Sequence, residues 1–344
     1  MMASRRAMGV GVFPVGANDS DKRAAAAALC PACDEPVPNA ALEKYGKYER
    51  FACAACGLEF WEPRKMPDAR WYEQIYGGRD EELLPLEPGH KYFLEDAAAP
   101  RGGELLDVGC GTGNFLAEAR DAGYRVTGIE LDRNAARFAK ERLSLQKVLP
   151  LTISEFAAAR CPSEKFDIVT SFEVLEHQAA PREFFKNVKS CLKPHGSIAL
   201  SVPNRERWLT GPDVLDYPPN HFLRWNAGAL KKFLELQGFE VMTMREQPAG
   251  VVHTAQMINM ALRTGMTQTK PGQTSRSFRD VIQMEREQAE IALQAKPEMR
   301  QRVMESLGRI KFAACFPLAA AAIPYVRIRG YKGTYLYCLA RSHD

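Results

Sequence analysis

The chain has 344 residues, of which 46% are hydrophobic and 26% charged, enough to bury a full core as one large domain plus an accessory module. With 46 Lys and Arg against 42 Asp and Glu the net charge is only +4, so composition excludes a strongly polybasic chain and gives no electrostatic case for a nucleic-acid partner.

Residues 1–29 hold Arg5, Arg6, scattered glycines and the run Ala24–Ala28 without sustained periodicity, and are expected to be mostly disordered. They lack the apolar core of a secretory signal, which makes the cytoplasm the expected location. Four of the nine cysteines then fall as two C-x2-C pairs, Cys30 with Cys33 and Cys53 with Cys56. Each pair offers two thiolates on a tight knuckle, and two knuckles complete a tetrahedral zinc site, so residues 30–62 read as a zinc ribbon. All four positions are used, which predicts a structural rather than a catalytic Zn2+. Tyr48, Phe51, Phe60 and Trp61 are expected to pack this small module. Cys110, Cys161, Cys191, Cys315 and Cys338 read as buried or incidental thiols.

Residues 63–100 form a linker with lid helices: Trp71, Tyr72, Ile75 and Tyr76 have helical spacing, Gly77-Gly78 ends that run, and a further helix starts at His90. Over 101–245, strands near 104–108, 125–130, 147–151, 166–172, 196–202 and 239–245 alternate with helices, the pattern of a parallel α/β sheet. Asp132 caps the helix to Leu143, Pro181 opens the helix through Leu192, and Asn226 caps the helix that stops before Gly238. Residues 246–333 are a helical insertion with expected helices at 278–295 and 298–316, suited to enclosing substrate or to a homodimer contact. Residues 312–326 are apolar but interrupted by Pro317 and Pro324, and fall short of the roughly 20 residues that span a bilayer. They read as a buried loop, with contact to a membrane surface as the alternative. Residues 334–344 supply a last strand, alternating through Tyr335, Tyr337 and Leu339.

The chemistry is concentrated in Glu104–Leu116, a buried strand that runs into Gly109, Gly111 and Gly113 and then a helix. Glycines at alternate positions let backbone turn sharply and approach a ligand. The pattern D-x-G-x-G-x-G is tighter than the dinucleotide fingerprint, and Asp107 suits an ammonium group better than a pyrophosphate. Glu130 ends the next strand about 20 residues on, where an acid accepts hydrogen bonds from ribose hydroxyls. The ligand implied has a ribose, a cation and no phosphate.

Glu104–Leu116, Gly128–Asp132, Phe166–His177 and Leu192–Asn204 together resemble the class I S-adenosylmethionine-dependent methyltransferases, notably the ubiquinone-pathway O-methyltransferases. The resemblance implies a Rossmann-like seven-stranded sheet with helices on both faces and an antiparallel last strand. It implies S-adenosyl-L-methionine bound by Asp107, Gly109, Cys110, Gly111, Thr112, Gly113, Glu130, Leu131, Phe172 and Glu173. The acid that such proteins often carry after the third strand is displaced here, and Glu155 and Phe156 are assigned to the adenine pocket.

Of six histidines, His177 follows the fourth core strand and His221 precedes a helix after the fifth, both at the carboxyl edge where open α/β sheets bind ligands. They are the candidate catalytic residues, with His177 as base and His221 as its partner or substitute. The expected activity is O-methylation of a small molecule or glycan. An RNA methyltransferase that uses the ribbon as its nucleic-acid grip is the alternative, but Asp34, Glu35, Glu43, Glu49, Glu59 and Glu62 leave the ribbon without a basic face. A non-catalytic cofactor-binding scaffold is a third reading, opposed by the intact Asp107, glycines and Glu130.

Overall fold

The computed structural model describes residues 28–344 except 39, 68–70, 72–84, 162, 208–215, 253, 256, 257 and 260–296. The lid helix through Tyr72 and Tyr76, the helix over 278–295 and nearly all of the expected amino-terminal disorder thus lie outside the described residues.

Strands β1 (Glu43–Tyr45), β2 (Tyr48–Ala52) and β3 (Glu59–Glu62) form an antiparallel meander with the cysteine knuckles beside it. Seven further strands make one twisted sheet: β4 (Gly103–Val108), β5 (Tyr124–Ile129), β6 (Val148–Leu149), β7 (Phe166–Phe172), β8 (Leu192–Pro203), β10 (Phe239–Pro248) and β11 (Lys332–Ser342). The two-residue β9 (Leu223–Arg224) leaves this sheet and joins the meander at β3. The large sheet has the order β10-β11-β8-β7-β4-β5-β6. Its strands run parallel from β8 to β6, while β11 is antiparallel to both β8 and β10, as expected for the last strand.

Period-two alternation divides the core into two layers. Leu106, Val169, Ile198, Leu200, Leu336 and Cys338 belong to one apolar cluster; their sequence neighbours Leu105, Ile168, Ala199, Tyr337 and Leu339 belong to the other. The first layer is covered by α4 (Ile153–Ala159), α5 (Pro181–Cys191) and α6 (Ala227–Leu236), which contribute Phe156, Phe184, Phe185 and Phe233. The second is covered by α1 (Pro88–Glu95), α2 (Asn114–Asp121) and α3 (Arg133–Leu143), through Phe93, Phe115, Leu116 and Ala139. Helices therefore lie on both faces of a seven-stranded Rossmann-like sheet. Each fully buried phenylalanine in these layers contributes about 3 kcal/mol or more against truncation to Ala.

Two expectations need correction. Residues 312–326 are not a loop: they continue α7 (Pro297–Ile328), which carries Pro317 and Pro324 inside it. Cys315, Ala319, Ile323 and Val326 recur at helical spacing and are buried, so packing of that face overrides the loss of two backbone donors. No helix among the described residues is long and apolar enough to cross a membrane. Cys161 and Cys191 are not incidental thiols either, because the ends of α4 and α5 bring their Cα atoms to 4.8 Å and the two are joined as a disulfide.

Candidate active site

The glycine turn after β4 is fixed by hydrogen bonds from its own amides. Gly109 N donates to Ile129 O at 2.9 Å and Gly111 N to Glu130 Oε2 at 2.8 Å, which ties the ends of β4 and β5 together. All three glycines have positive φ, for different reasons. A Cβ on Gly109 would lie 2.6 Å from Val174 Cγ2, and one on Gly113 would lie 2.6 Å from Leu145 Cδ1, whereas Gly111 faces open space. Gly111 therefore serves the turn's conformation, and the outer two permit close packing.

A cavity of about 700 Å³ opens at the carboxyl edge of the sheet against this turn. Of the residues assigned to the cofactor, Gly109, Gly111, Thr112, Glu130, Leu131, Phe172 and Glu173 line it. Glu130 also accepts from Asp132 N at 2.8 Å, and burial raises its pKa despite both backbone donors.

Asp107, Cys110, Gly113, Glu155 and Phe156 are not among its lining residues. Asp107 lies beneath the turn, 3% exposed, and accepts from Thr170 Oγ1 at 2.7 Å. Glu155 is turned outward because it forms a reciprocal capping box with Thr152 at the start of α4, and Phe156 is fully buried against Phe166. The cavity is met instead by the preceding residues Leu151, Thr152, Ile153 and Ser154. The Thr152-x-x-Glu155 spacing carried this information, since it marks a helix N-terminus whose glutamate folds back on the backbone.

Burial pushes the Asp107 carboxyl up to about 7, with the Thr170 hydrogen bond opposing and Glu130 adding to the rise. An unfolded chain releases that proton near pH 4, so the native state holds it more tightly over the interval. Its contribution to stability is full below the unfolded pKa and is lost as pH rises through about 7. Asp107→Asn should flatten this part of the stability curve. Urea midpoints from about pH 4 to 8 that fall equally in both proteins would contradict it.

The far end of the cavity is built by two loops, Glu173–Ala180 after β7 and Asp216–Phe222 before β9. His177 Nδ1 donates to Asn220 O at 2.7 Å, and His221 Nδ1 donates to Asp216 Oδ1 at 3.3 Å. The imidazoles stand edge to face with centroids 4.6 Å apart. Glu176 sits between them: its Oε1 is 3.9 Å from each Nε2, it is 1% exposed, and neither carboxylate oxygen has a hydrogen-bond partner among the described residues. One ligand atom each from Glu176, His177 and His221 lie within 4.8 Å of one another.

Several acids crowd here. Burial first, then Glu87, raises Glu173 to about 8, and burial with Glu173 pushes Glu176 well above the carboxylate range. Burial would raise Asp216 too, but Arg207, which pairs with it, His221 and Arg224 hold it below the usual range. Burial and the neighbouring His221 lower His177 to about 3. Sequence reasoning missed Glu176, although its position between Glu173 and His177 in the same block was visible.

Away from the cavity, Cys30, Cys33, Cys53 and Cys56 converge with all four Sγ atoms within 4.8 Å, and the Cys30–Cys56 and Cys33–Cys53 pairs are each at 3.5 Å. Thiolates about 2.3 Å from a tetrahedral ion stand about 3.8 Å apart, so this donor set fits zinc.

Residues 81–244 match a family described as a methyltransferase domain. A ubiquinone biosynthesis O-methyltransferase of Nitrosococcus oceani is 30% identical over 139 residues, 40% of this chain and 58% of that protein. One of Actinobacillus pleuropneumoniae is 36% identical over 121 residues, 33% of this chain and 51% of that protein. The chain thus spans little more than half the length of either relative. A solved S-adenosylmethionine-dependent methyltransferase of Archaeoglobus fulgidus superposes with a TM-score of 0.44 at 18% identity, covering 79% of this chain and 98% of its own.

Proposed function

We propose that the chain, whose residues 81–244 match the methyltransferase-domain family, is a class I S-adenosylmethionine-dependent methyltransferase that methylates a hydroxyl of a small molecule held against Glu176, His177 and His221 by a divalent cation. The observation that carries this reading is the buried Glu176 carboxyl, which among the described residues has no hydrogen-bond donor on either oxygen and has two imidazoles beside it. Such a group requires a proton or a cation. Each imidazole is aimed by a hydrogen bond from its Nδ1 to a carbonyl or carboxylate, the arrangement that orients metal-ligating histidines. Ligands about 2.1 Å from one ion stand at most about 4.2 Å apart, so small closing movements suffice.

Bound S-adenosyl-L-methionine supplies an electrophilic methyl group. Glu130 would take its ribose hydroxyls with the acceptor sites left after its two backbone contacts. Glu173 and Phe172 would line the sulfonium region, where the positive charge of the cofactor would favour the ionised form of the Glu173 carboxyl against the effect of its burial. A divalent ion at the far end would lower the pKa of a coordinated hydroxyl. An imidazole as weakly basic as His177 suits ligation better than proton removal at neutral pH, which shifts its role from lone base to acceptor positioning. A vicinal diol or catechol would offer such an ion two adjacent oxygens, and this is the acceptor class we propose; a glycan hydroxyl pair would satisfy the same chemistry.

The ribbon gives no support to an RNA reading. Arg50 is committed to Glu43 and Glu59, and Arg64 to Glu62 and Ala179 O, rather than presented to a phosphate backbone. We expect Glu130→Ala to weaken cofactor binding about ten- to a hundredfold by calorimetry, through loss of charge-assisted contacts to the ribose. Unchanged affinity would remove Glu130 from the cofactor site. Transfer of labelled methyl to catechol should require added Mg2+ after dialysis that leaves the cysteine-bound metal in place; transfer indifferent to Mg2+ would refute the cation and return the site to His177 as base.

A further inference from the structure

We infer that the cysteine ribbon is a positioning clamp for the acceptor end of the cavity, acting through Tyr217 and β9 on His221 and on the carbonyl that orients His177. The loop from Asp216 to Arg224 supplies three groups to that end: the Asp216 carboxylate, the Asn220 carbonyl and the His221 ring. Its anchorage lies largely in the ribbon.

Tyr217 leaves the loop and enters the ribbon's aromatic cluster, with its ring centroid 4.7 Å from Tyr45 and 5.3 Å from Trp61. Its hydroxyl donates to Glu43 Oε1 at 2.6 Å. On the other side of His221, Trp61 N donates to Phe222 O at 2.9 Å, and β3 pairs with β9 through Phe60 with Leu223 and Glu59 with Arg224. His221 is therefore bracketed at positions 217 and 222 by contacts to one rigid meander. The loop also reaches back to the core, because Phe222 N donates to Glu176 O at 2.9 Å. A displacement of the ribbon would move the Asn220 carbonyl and His221 together, and so rotate both imidazoles about Glu176.

This arrangement gives the ribbon a use that needs neither nucleic acid nor an open metal position. It contributes no lining residue from 30–62 to the cavity, yet it holds the segment that does. Burial of the shared apolar cluster, in which Phe60 and Leu58 join Phe222, Leu223 and Trp225, makes the coupling stiff. Only the second of the two readouts below rests on the proposed cation site; the first is independent of it.

The test compares Tyr217→Leu and Tyr217→Phe in the full chain, with zinc content and cofactor affinity measured as controls. The first readout is the imidazole 15N spectrum of His177 and His221 in protein labelled at histidine; the second is Mn2+ binding followed by electron paramagnetic resonance. Tyr217→Leu should keep its zinc and bind S-adenosyl-L-methionine within about twofold of wild type, since neither site contacts it directly. Both imidazole signals should shift or broaden, and Mn2+ affinity should fall by about tenfold or more. Tyr217→Phe, which keeps the stacked ring and loses only the hydroxyl, should restore most of each signal. Unaltered imidazole spectra in Tyr217→Leu overturn the clamp. Wild-type protein that binds no Mn2+ overturns the cation reading alone, and the imidazole spectra then decide the clamp. If Tyr217→Leu loses zinc, Tyr45→Leu, which removes from the ribbon the ring that packs on Tyr217, takes its place: in zinc-replete protein, unaltered imidazole spectra then overturn the clamp and shifted ones uphold it.

Discussion

Glu176→Gln should abolish methyl transfer to the acceptor, by about a hundredfold or more, while leaving the protein at least as stable as wild type. The two effects have one origin. The carboxyl is 1% exposed and, among the described residues, neither oxygen has a hydrogen-bond partner, so ionising it is costly in the absence of a cation. Glutamine keeps the volume and removes the charge. Removing it relieves that cost, and also removes the anionic ligand that the acceptor's ion would need. Cofactor affinity should remain within about twofold, because the contacts assigned to the cofactor come from Glu130 and the glycine turn rather than from Glu176. The variant separates chemistry from folding: lost turnover with a retained or raised melting temperature supports the assignment, whereas retained turnover rules out Glu176. His221→Ala should lower turnover similarly, but with some loss of stability, since Asp216 would lose a hydrogen-bond donor.

The second large effect is expected at the cysteines. Protein purified without chelator should contain one zinc per chain, and Cys53→Ser combined with Cys56→Ser should lose it together with several kcal/mol of stability. Cys30, Cys53 and Cys56 are buried, and the ribbon's Leu58 and Phe60 share an apolar cluster with Phe222, Trp225 and Phe233 of the large domain. Failure of the knuckles would expose that seam, so unfolding should begin earlier and broaden rather than affect the ribbon alone. Metal analysis and differential scanning calorimetry check both statements. A metal content near zero would falsify the zinc assignment, and the four thiols would then stand as a reducible cluster.

Much of this could be read from residues alone, and the parts that could not have physical reasons. The strand, glycine turn and Glu130 are local features whose spacing survives folding unchanged. The two C-x2-C pairs are equally local, because chelate geometry is set within each knuckle. Glu155 and Phe156 were misplaced because a helix start rotates successive side chains by about 100°, so a shift of one or two positions exchanges cavity, solvent and core. Pro317 and Pro324 suggested a break, but long-range packing of Cys315, Ala319, Ile323 and Val326 holds the helix. The Cys161–Cys191 pairing depends on how α4 and α5 meet, and the ties between Tyr217 and the ribbon on contacts across 174 residues, as between Tyr217 and Glu43. Nothing in a one-dimensional pattern encodes either. Glu176 was in view but unweighted, because an acid in a helical turn is ordinarily solvated and only burial makes it informative.

The position of β11 has a consequence for how the chain reaches its native state. This strand completes the sheet by entering between β8 and β10, although residues 249–331 separate it from β10 in the chain. Until it arrives, β8, the longest strand at 12 residues, has an outer edge of unpaired amides and carbonyls flanked by Ile198, Leu200 and Val202. The consecutive βα units from β4 to β8 can assemble from near neighbours, and the last insertion must wait for distant chain to be captured. During that interval the half-built sheet is a template for any extended segment with alternating apolar residues, including β11 of another copy. The intermediate exposed to aggregation is therefore a five-stranded sheet whose β8 edge is open in addition to the short β6 edge, and pairing at β8 would yield exchanged dimers rather than disordered precipitate.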